Sequence, residues 1–186
     1  CGVWEADISI VIANGTHEGG DEQELRTLVT DAVYDRVRVE NHDCDATDLV
    51  YLGTTPHGTP VSINRTAAQA DIVICLGAVT HHVMAGFGGG RKSILPGISG
   101  RETIFHNHAF SLDAAQLRSN PAIGNGVLKG NPLHEDMCEA AGLVKNLFII
   151  NLVMNAQMQL AAIFSGHYLS SWEQACRTVD KIYQVD

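Results

Sequence analysis

No run in this sequence approaches the ~18 consecutive apolar residues that a membrane-spanning helix needs. No charged, apolar, small-residue leader marks a secretory signal. No CxxC pair occurs either: Cys1, Cys44, Cys75, Cys138 and Cys176 are scattered along the chain. An odd, dispersed set fits free thiols in a reducing compartment, here the cytoplasm, better than a disulfide framework. Basic residues are scarce. Lys and Arg number 12 against 21 Asp and Glu, a formal net charge of -9, which argues against nucleic acid or an anionic membrane as the partner. Internal repeats and low-complexity linkers are absent too. What remains is a chain of 186 residues, 45% apolar and 18% charged, globular and long enough for one domain with a sizeable core. It starts at Cys1 without a methionine and stops just after an amphipathic helical pattern. The expectation is a single α/β domain over residues 1–186 that is a piece of a longer protein.

Apolar, β-branched runs predict strands at Asp7–Ala13, Val37–Glu40, Asp71–Val79, Leu147–Met154 and Leu160–Phe164. Between them, helical spacing recurs. Asp21 and Glu24 form a capping box ahead of Leu25, Leu28, Val29 and Val33. Asn64 caps a short helix to Ala70, Arg101–Ala109 reads as helical, and Asn131-Pro132 opens a helix to about Ala141. Trp172, Ala175, Cys176, Val179, Ile182 and Tyr183 form the apolar face of a last helix. Leu49–Leu52 and Pro60–Ile63, joined through a Pro- and Gly-bearing turn, read as a hairpin. Strands alternating with helices predict an open, mostly parallel, Rossmann-like sheet flanked by helices.

The chemistry concentrates after the strand that ends at Val79. Thr80 to Ser93 holds His81, His82, the glycines Gly86, Gly88, Gly89 and Gly90, and the pair Arg91-Lys92; His106 and His108 follow. A ligand site at the carboxyl end of a strand is the expected placement in an open α/β sheet. The stretch fails as a Walker A loop and as a Rossmann fingerprint, both at Arg91. What is left is a set of glycine amides beside Arg91 and Lys92, read as an anion cradle; the alternative is a flexible turn with solvated cations. His81 and His82 point opposite ways in an extended chain, so one of them faces the site. His106 and His108 do not share a helical face, so again one is the better ligand. His17, in the loop after the first strand, meets His82 at one edge if that strand lies beside Asp71–Val79, and two such imidazoles suit proton exchange near neutral pH. His42-Asp43 and His134-Glu135-Asp136 match no zinc spacing and read as capping and turn residues. Asp43 and Asp45 could bridge to a ligand hydroxyl.

The chain resembles the nickel-pincer-nucleotide lactate racemases. The resemblance rests on Gly15-Thr16-His17, Asn41-His42-Asp43, Gly53-Thr54-Thr55 with Gly58-Thr59-Pro60-Val61, the long block from His82 through Gly86-Phe87-Gly88-Gly89-Gly90-Arg91-Lys92-Ser93 to Leu95-Pro96-Gly97, Glu102-Thr103-Ile104 with Asn107-His108, and Gly130 to Asp136. It implies a pyridinium-derived mononucleotide (a 3,5-bisthiocarboxylic acid) joined to Lys92 through a thioamide, with nickel held by the cofactor and by His108. It implies His17 and His82 as the acid/base pair in racemising a short 2-hydroxy acid such as lactate by removal and return of hydride. It also implies dependence on cofactor-making enzymes, and a second domain plus an N-terminal segment outside this chain. Outside the resemblance, a nucleotide- or phosphate-dependent enzyme without nickel, or a non-catalytic cofactor carrier, fits the same glycine-rich stretch. Two positions depart from the family pattern: Glu18 stands where a basic residue is more usual, and Gly88 where serine is common. Arg91, Arg65 and Arg101 are the nearby candidates for holding a substrate carboxylate.

Overall fold

The computed structural model describes residues 2–183; Cys1 and the last three residues lie outside the described residues. The strands are β1 (Ser9–Ile12), β2 (Arg38–Asn41), β3 (Val50–Thr54), β4 (Pro60–Ile63), β5 (Val73–Ala78), β6 (His81–His82), β7 (Gly86–Phe87), β8 (Leu112–Asp113), β9 (Arg118–Ser119), β10 (Leu147–Met154) and β11 (Leu160–His167). The helices are α1 (Glu22–Val29), α2 (Asp31–Tyr34), α3 (Arg65–Gln69), α4 (Arg101–Ala109), α5 (Pro132–Gly142) and α6 (Ser170–Tyr183). A short 3-10 turn, Gly90–Ser93, carries Arg91 and Lys92.

The fold is α/β, as the alternation of strands and helices predicts. Its largest sheet has the order β11-β10-β5. The β5–β10 pair is parallel, with Cys75 opposite Ile149, and β11 returns antiparallel to β10. A second parallel pair joins β1 to β2, and β3–β4 is the predicted hairpin. Period-2 alternation divides the large sheet cleanly. Cys75, Ile149 and Val153 are buried under the helices, whereas Ile74 and Leu76 on the other face are 60% and 65% exposed. The buried face carries two clusters. One joins Ile94, Leu95, Leu133 and Met137 to Ile63 and Ile149. The other gathers Val79, Phe87, Val153, Trp172, Ala175 and Val179 under the loop that follows β5.

Several local readings hold to the residue. The side chain of Asp21 accepts from the Glu24 amide and Glu24 reaches back to the Asp21 amide. Asn64 and Asn131 cap α3 and α5, with Pro132 opening α5. The helix predicted through Val33 is instead two pieces. Thr30 sits at φ +73° and breaks it, because a left-handed residue cannot continue the α ladder; Leu28 is accordingly 65% exposed.

One buried polar network ties three elements together. Asp136 on α5 is fully buried. It accepts from the Thr55 hydroxyl at 2.6 Å, the Thr59 hydroxyl at 3.0 Å and the Asn107 amide at 2.8 Å. Without it both threonine hydroxyls would lose their acceptor, while the Asn107 amide would keep only the Leu133 carbonyl, at 3.0 Å. We therefore expect Asp136→Ala to cost roughly 3 kcal/mol of stability, read as a lowered urea midpoint; a loss under about 1 kcal/mol would show that the network adds nothing.

Candidate active site at the end of strand β5

The site is built where β5 ends. The chain leaves Val79, makes the two-residue ladder β6–β7, and enters the 3-10 turn that holds Lys92. His81 and His82 diverge, as an extended backbone requires. His81 turns outward, with Nε2 2.9 Å from Asp180 on α6. His82 turns inward, with Nε2 2.9 Å from the Lys92 amine. Its Nδ1 accepts the Met84 and Ala85 amides at 3.2 and 3.1 Å. Burial, then the cations Lys92 and Arg91, push the His82 pKa down to about 4. Burial, then Arg91, pushes the Lys92 pKa down to about 8.

His108 completes the cluster from α4. Its Nδ1–H donates to the Ile104 carbonyl, one turn back, at 2.9 Å. That bond fixes the tautomer and leaves the Nε2 lone pair free, which is how a metal-binding histidine is commonly oriented. Burial lowers its pKa, and the nearby Lys92 charge lowers it further. His106 is exposed on the other side of α4. A half-buried amine and one imidazole with an unused lone pair fit a cofactor that is both tethered and metal-bearing.

His17 reaches this end by a different route. β1 forms its ladder with β2, and β5 with β10, so the two strands are not neighbours in one ladder among the described residues. The link is a loop contact: the Gly15 amide donates to the Gly97 carbonyl at 2.9 Å, and the Gly97 amide to the Lys92 carbonyl at 2.9 Å. Asn14 locks the same loop, donating to the carbonyls of His17 and His42. The His17 side chain is exposed.

A family model described as the lactate racemase N-terminal domain matches residues 1–119. The chain belongs to this family. It is 34% identical over 182 residues to the lactate racemase of Thermoanaerobacterium thermosaccharolyticum and 32% identical over 182 residues to that of Lactiplantibacillus plantarum. Each alignment covers 97% of this chain and 42% of the relative, so the chain spans less than half the length of these curated relatives. The solved lactate racemase apoprotein from T. thermosaccharolyticum superimposes with a TM-score of 0.87 at 33% identity, over 95% of this chain and 41% of that one. A Thermotoga maritima protein shares the fold at a TM-score of 0.77 and 21% identity, over 94% of this chain and 46% of the other.

Within this member of the family, the anion cradle expected around Arg91 is not formed by its side chain. Arg91 is 1% exposed. Its guanidinium donates to the Phe87 and Ala85 carbonyls at 2.9 and 2.7 Å and to His134 Nδ1 at 3.2 Å, and it lies 3.8 Å from the centre of the Trp172 ring. Its side chain braces the loop from inside the protein. The other two arginines are engaged as well: Arg101 with Asp45 through two bonds of 2.6 Å, and Arg65 with Asp48 at 3.2 Å. Asp45 is thereby a partner of Arg101 and not a free ligand for a hydroxyl.

Two of the glycines are required by close packing. A Cβ on Gly89, at φ +64°, would sit 2.7 Å from the Ala78 carbonyl oxygen, and one on Gly90, at φ +57°, would run into the Trp172 indole. Gly88 alone has ordinary room, 3.5 Å from the Thr80 hydroxyl. His42 and His134 are not capping or turn residues as expected but buried long-range contacts: His42 Nε2 bonds the Ser99 carbonyl at 2.9 Å, and His134 stacks on Trp172. Trp172 and the Asp136 network escaped the sequence reading as parts of the site. The helical period marks Trp172 as buried but cannot say what it is buried against.

Acid should loosen this bracing. Burial, then Arg91, holds the His134 pKa down to about 3 from its ordinary 6.5. The unfolded chain therefore takes up the proton first, so this stability is complete above pH 6.5 and is lost as pH falls towards 3. Lowering pH from 7 to 5 should remove about 2 kcal/mol through this group. Urea titrations check it: the loss should be that much smaller in His134→Gln, and equal slopes would exclude the histidine.

Proposed function

We propose that this chain is the cofactor-bearing catalytic part of a racemase for a short 2-hydroxy acid of the lactate type, with a nickel-pincer nucleotide carried on Lys92. The observation that carries this reading is the convergence of Lys92, His82 and the free Nε2 of His108 at the end of β5, in a chain whose relatives are lactate racemases. Lys92 is the tether and His108 the protein ligand to nickel. When bound, the nickel-pincer nucleotide supplies the acceptor and donor for the α-hydride.

The protein residues do the rest. An α-hydrogen next to a hydroxyl is a poor acid, but it leaves readily as hydride once the hydroxyl is deprotonated. His17 and His82 exchange that hydroxyl proton, one for each enantiomer. They are unlike, His17 open to solvent and His82 half-buried, and so can present themselves on different sides of a bound hydroxy acid. The nitrogen of His82 that faces the site is Nε2, which lies against the Lys92 amine in the unloaded chain. With Arg91 buried and Arg65 and Arg101 paired, the substrate carboxylate is held by residues from the remaining length of the relatives. Enzymes that make the nucleotide are the partners this reading requires.

Intact-mass and peptide analysis of the full-length protein, co-expressed with cofactor-making enzymes, tests the proposal. A nucleotide adduct on Lys92 with one nickel is expected, and Lys92→Ala should lose the adduct together with at least about a thousandfold of lactate racemisation. An unmodified Lys92 in an active preparation would refute it. His17→Ala and His82→Ala should each cost about 10²–10⁴ in rate; full activity in both would remove the acid/base pair.

A further inference from the structure

We infer that the tautomer of His82 holds Lys92 as a free amine, poised to attack an acyl carbon. This rests on the reading of Lys92 as the tether. The argument begins at the other side of the imidazole. His82 Nδ1 accepts two backbone amides, Met84 and Ala85, so it carries no proton. A neutral imidazole then has its proton on Nε2. That N–H lies 2.9 Å from Lys92 Nζ. An ammonium has three donors and no lone pair, so against it two donors would meet head-on. A free amine has the lone pair that the bond needs.

The surroundings favour the same state. Lys92 is half-buried on the 3-10 turn. The charged and titratable groups that face the Lys92–His82 pair are Arg91 and His108. None of these is an anion. Among the described residues no carboxylate lies within ion-pair distance of the Lys92 amine, so nothing there rewards its protonation.

The chemistry balances with a thiocarboxylic acid as the acyl partner. The amine lone pair forms the C–N bond and the C–O bond breaks. The oxygen leaves as water, with one proton from the amine and one from the thioacid. The product is a thioamide, and nothing is oxidised or reduced. Its nitrogen has delocalised its lone pair and keeps one N–H. It can no longer accept from His82, so the bond that kept the amine ready disappears with the amine.

Two measurements on cofactor-free full-length protein test this. The first is trace labelling with acetic anhydride from about pH 6 to pH 10, read at Lys92 by peptide mass spectrometry. We expect a midpoint near 8 against the ordinary 10.5. His82→Gln, whose side-chain oxygen can accept from an ammonium, should raise the midpoint by about one pH unit or more, a tenfold loss of free amine at neutral pH. A wild-type midpoint at the ordinary lysine value overturns the inference. The second is ¹⁵N NMR of histidine-labelled protein, which does not depend on any variant folding. The His82 proton is expected on Nε2, and a proton on Nδ1 overturns the inference. Neither readout uses nickel or nucleotide. A low midpoint with no adduct after co-expression would sink the tether and leave the free amine standing. An adduct on a lysine with an ordinary midpoint would do the reverse.

Discussion

The contact on which the site depends is the guanidinium of Arg91 lying on the indole of Trp172, 3.8 Å from its centre. A charge so deeply buried is costly unless its donors are used and its face is covered. Here both conditions are met. Phe87 and Ala85 carbonyls and His134 take the donors, and Trp172 takes the face while its own N–H bonds the Gly88 carbonyl at 2.9 Å. The 3-10 turn is thereby clamped to α6 and α5. Lys92 is the next residue along, so its backbone is held by the same clamp.

Three histidines around that clamp show how hydrogen bonds give one side chain different roles. His134 accepts from Arg91 and is kept neutral as a packing surface. His108 donates through Nδ1 to its own helix and so presents a lone pair. His82 accepts through Nδ1 and so presents an N–H. Burial suppresses the charge on all three, and the partner of Nδ1 then decides what Nε2 can do.

Local sequence made the elements legible because their signals are local. The capping box at Asp21, the caps at Asn64 and Asn131, the hairpin from Val50 to Ile63 and the helix Arg101–Ala109 all depend on residues a few positions apart. The break at Thr30 was not legible, since threonine is an uncommon choice for a left-handed residue. In the site, the split of His81 from His82 followed from strand geometry, and the choice of His108 over His106 from the family block. The burial of Arg91 is not legible in the sequence, for a physical reason. A cation beside glycines looks solvated unless one knows that an indole 81 positions later will cover it, and no periodicity carries that distance. The pairing of β1 with β2, and not with β5, is a tertiary choice of the same kind.

The left-handed turn at Gly90 has a consequence for reading other sequences. A Cβ at position 90 and an indole at position 172 would occupy the same space. The two positions therefore behave as a single composite character, although 81 residues separate them. A homologue with a side chain at the first must have surrendered the tryptophan at the second. It would then need another cover for its buried arginine, or no such arginine at all. Substitution at either site, taken alone, is the mark of a chain whose Lys92 loop has been rebuilt.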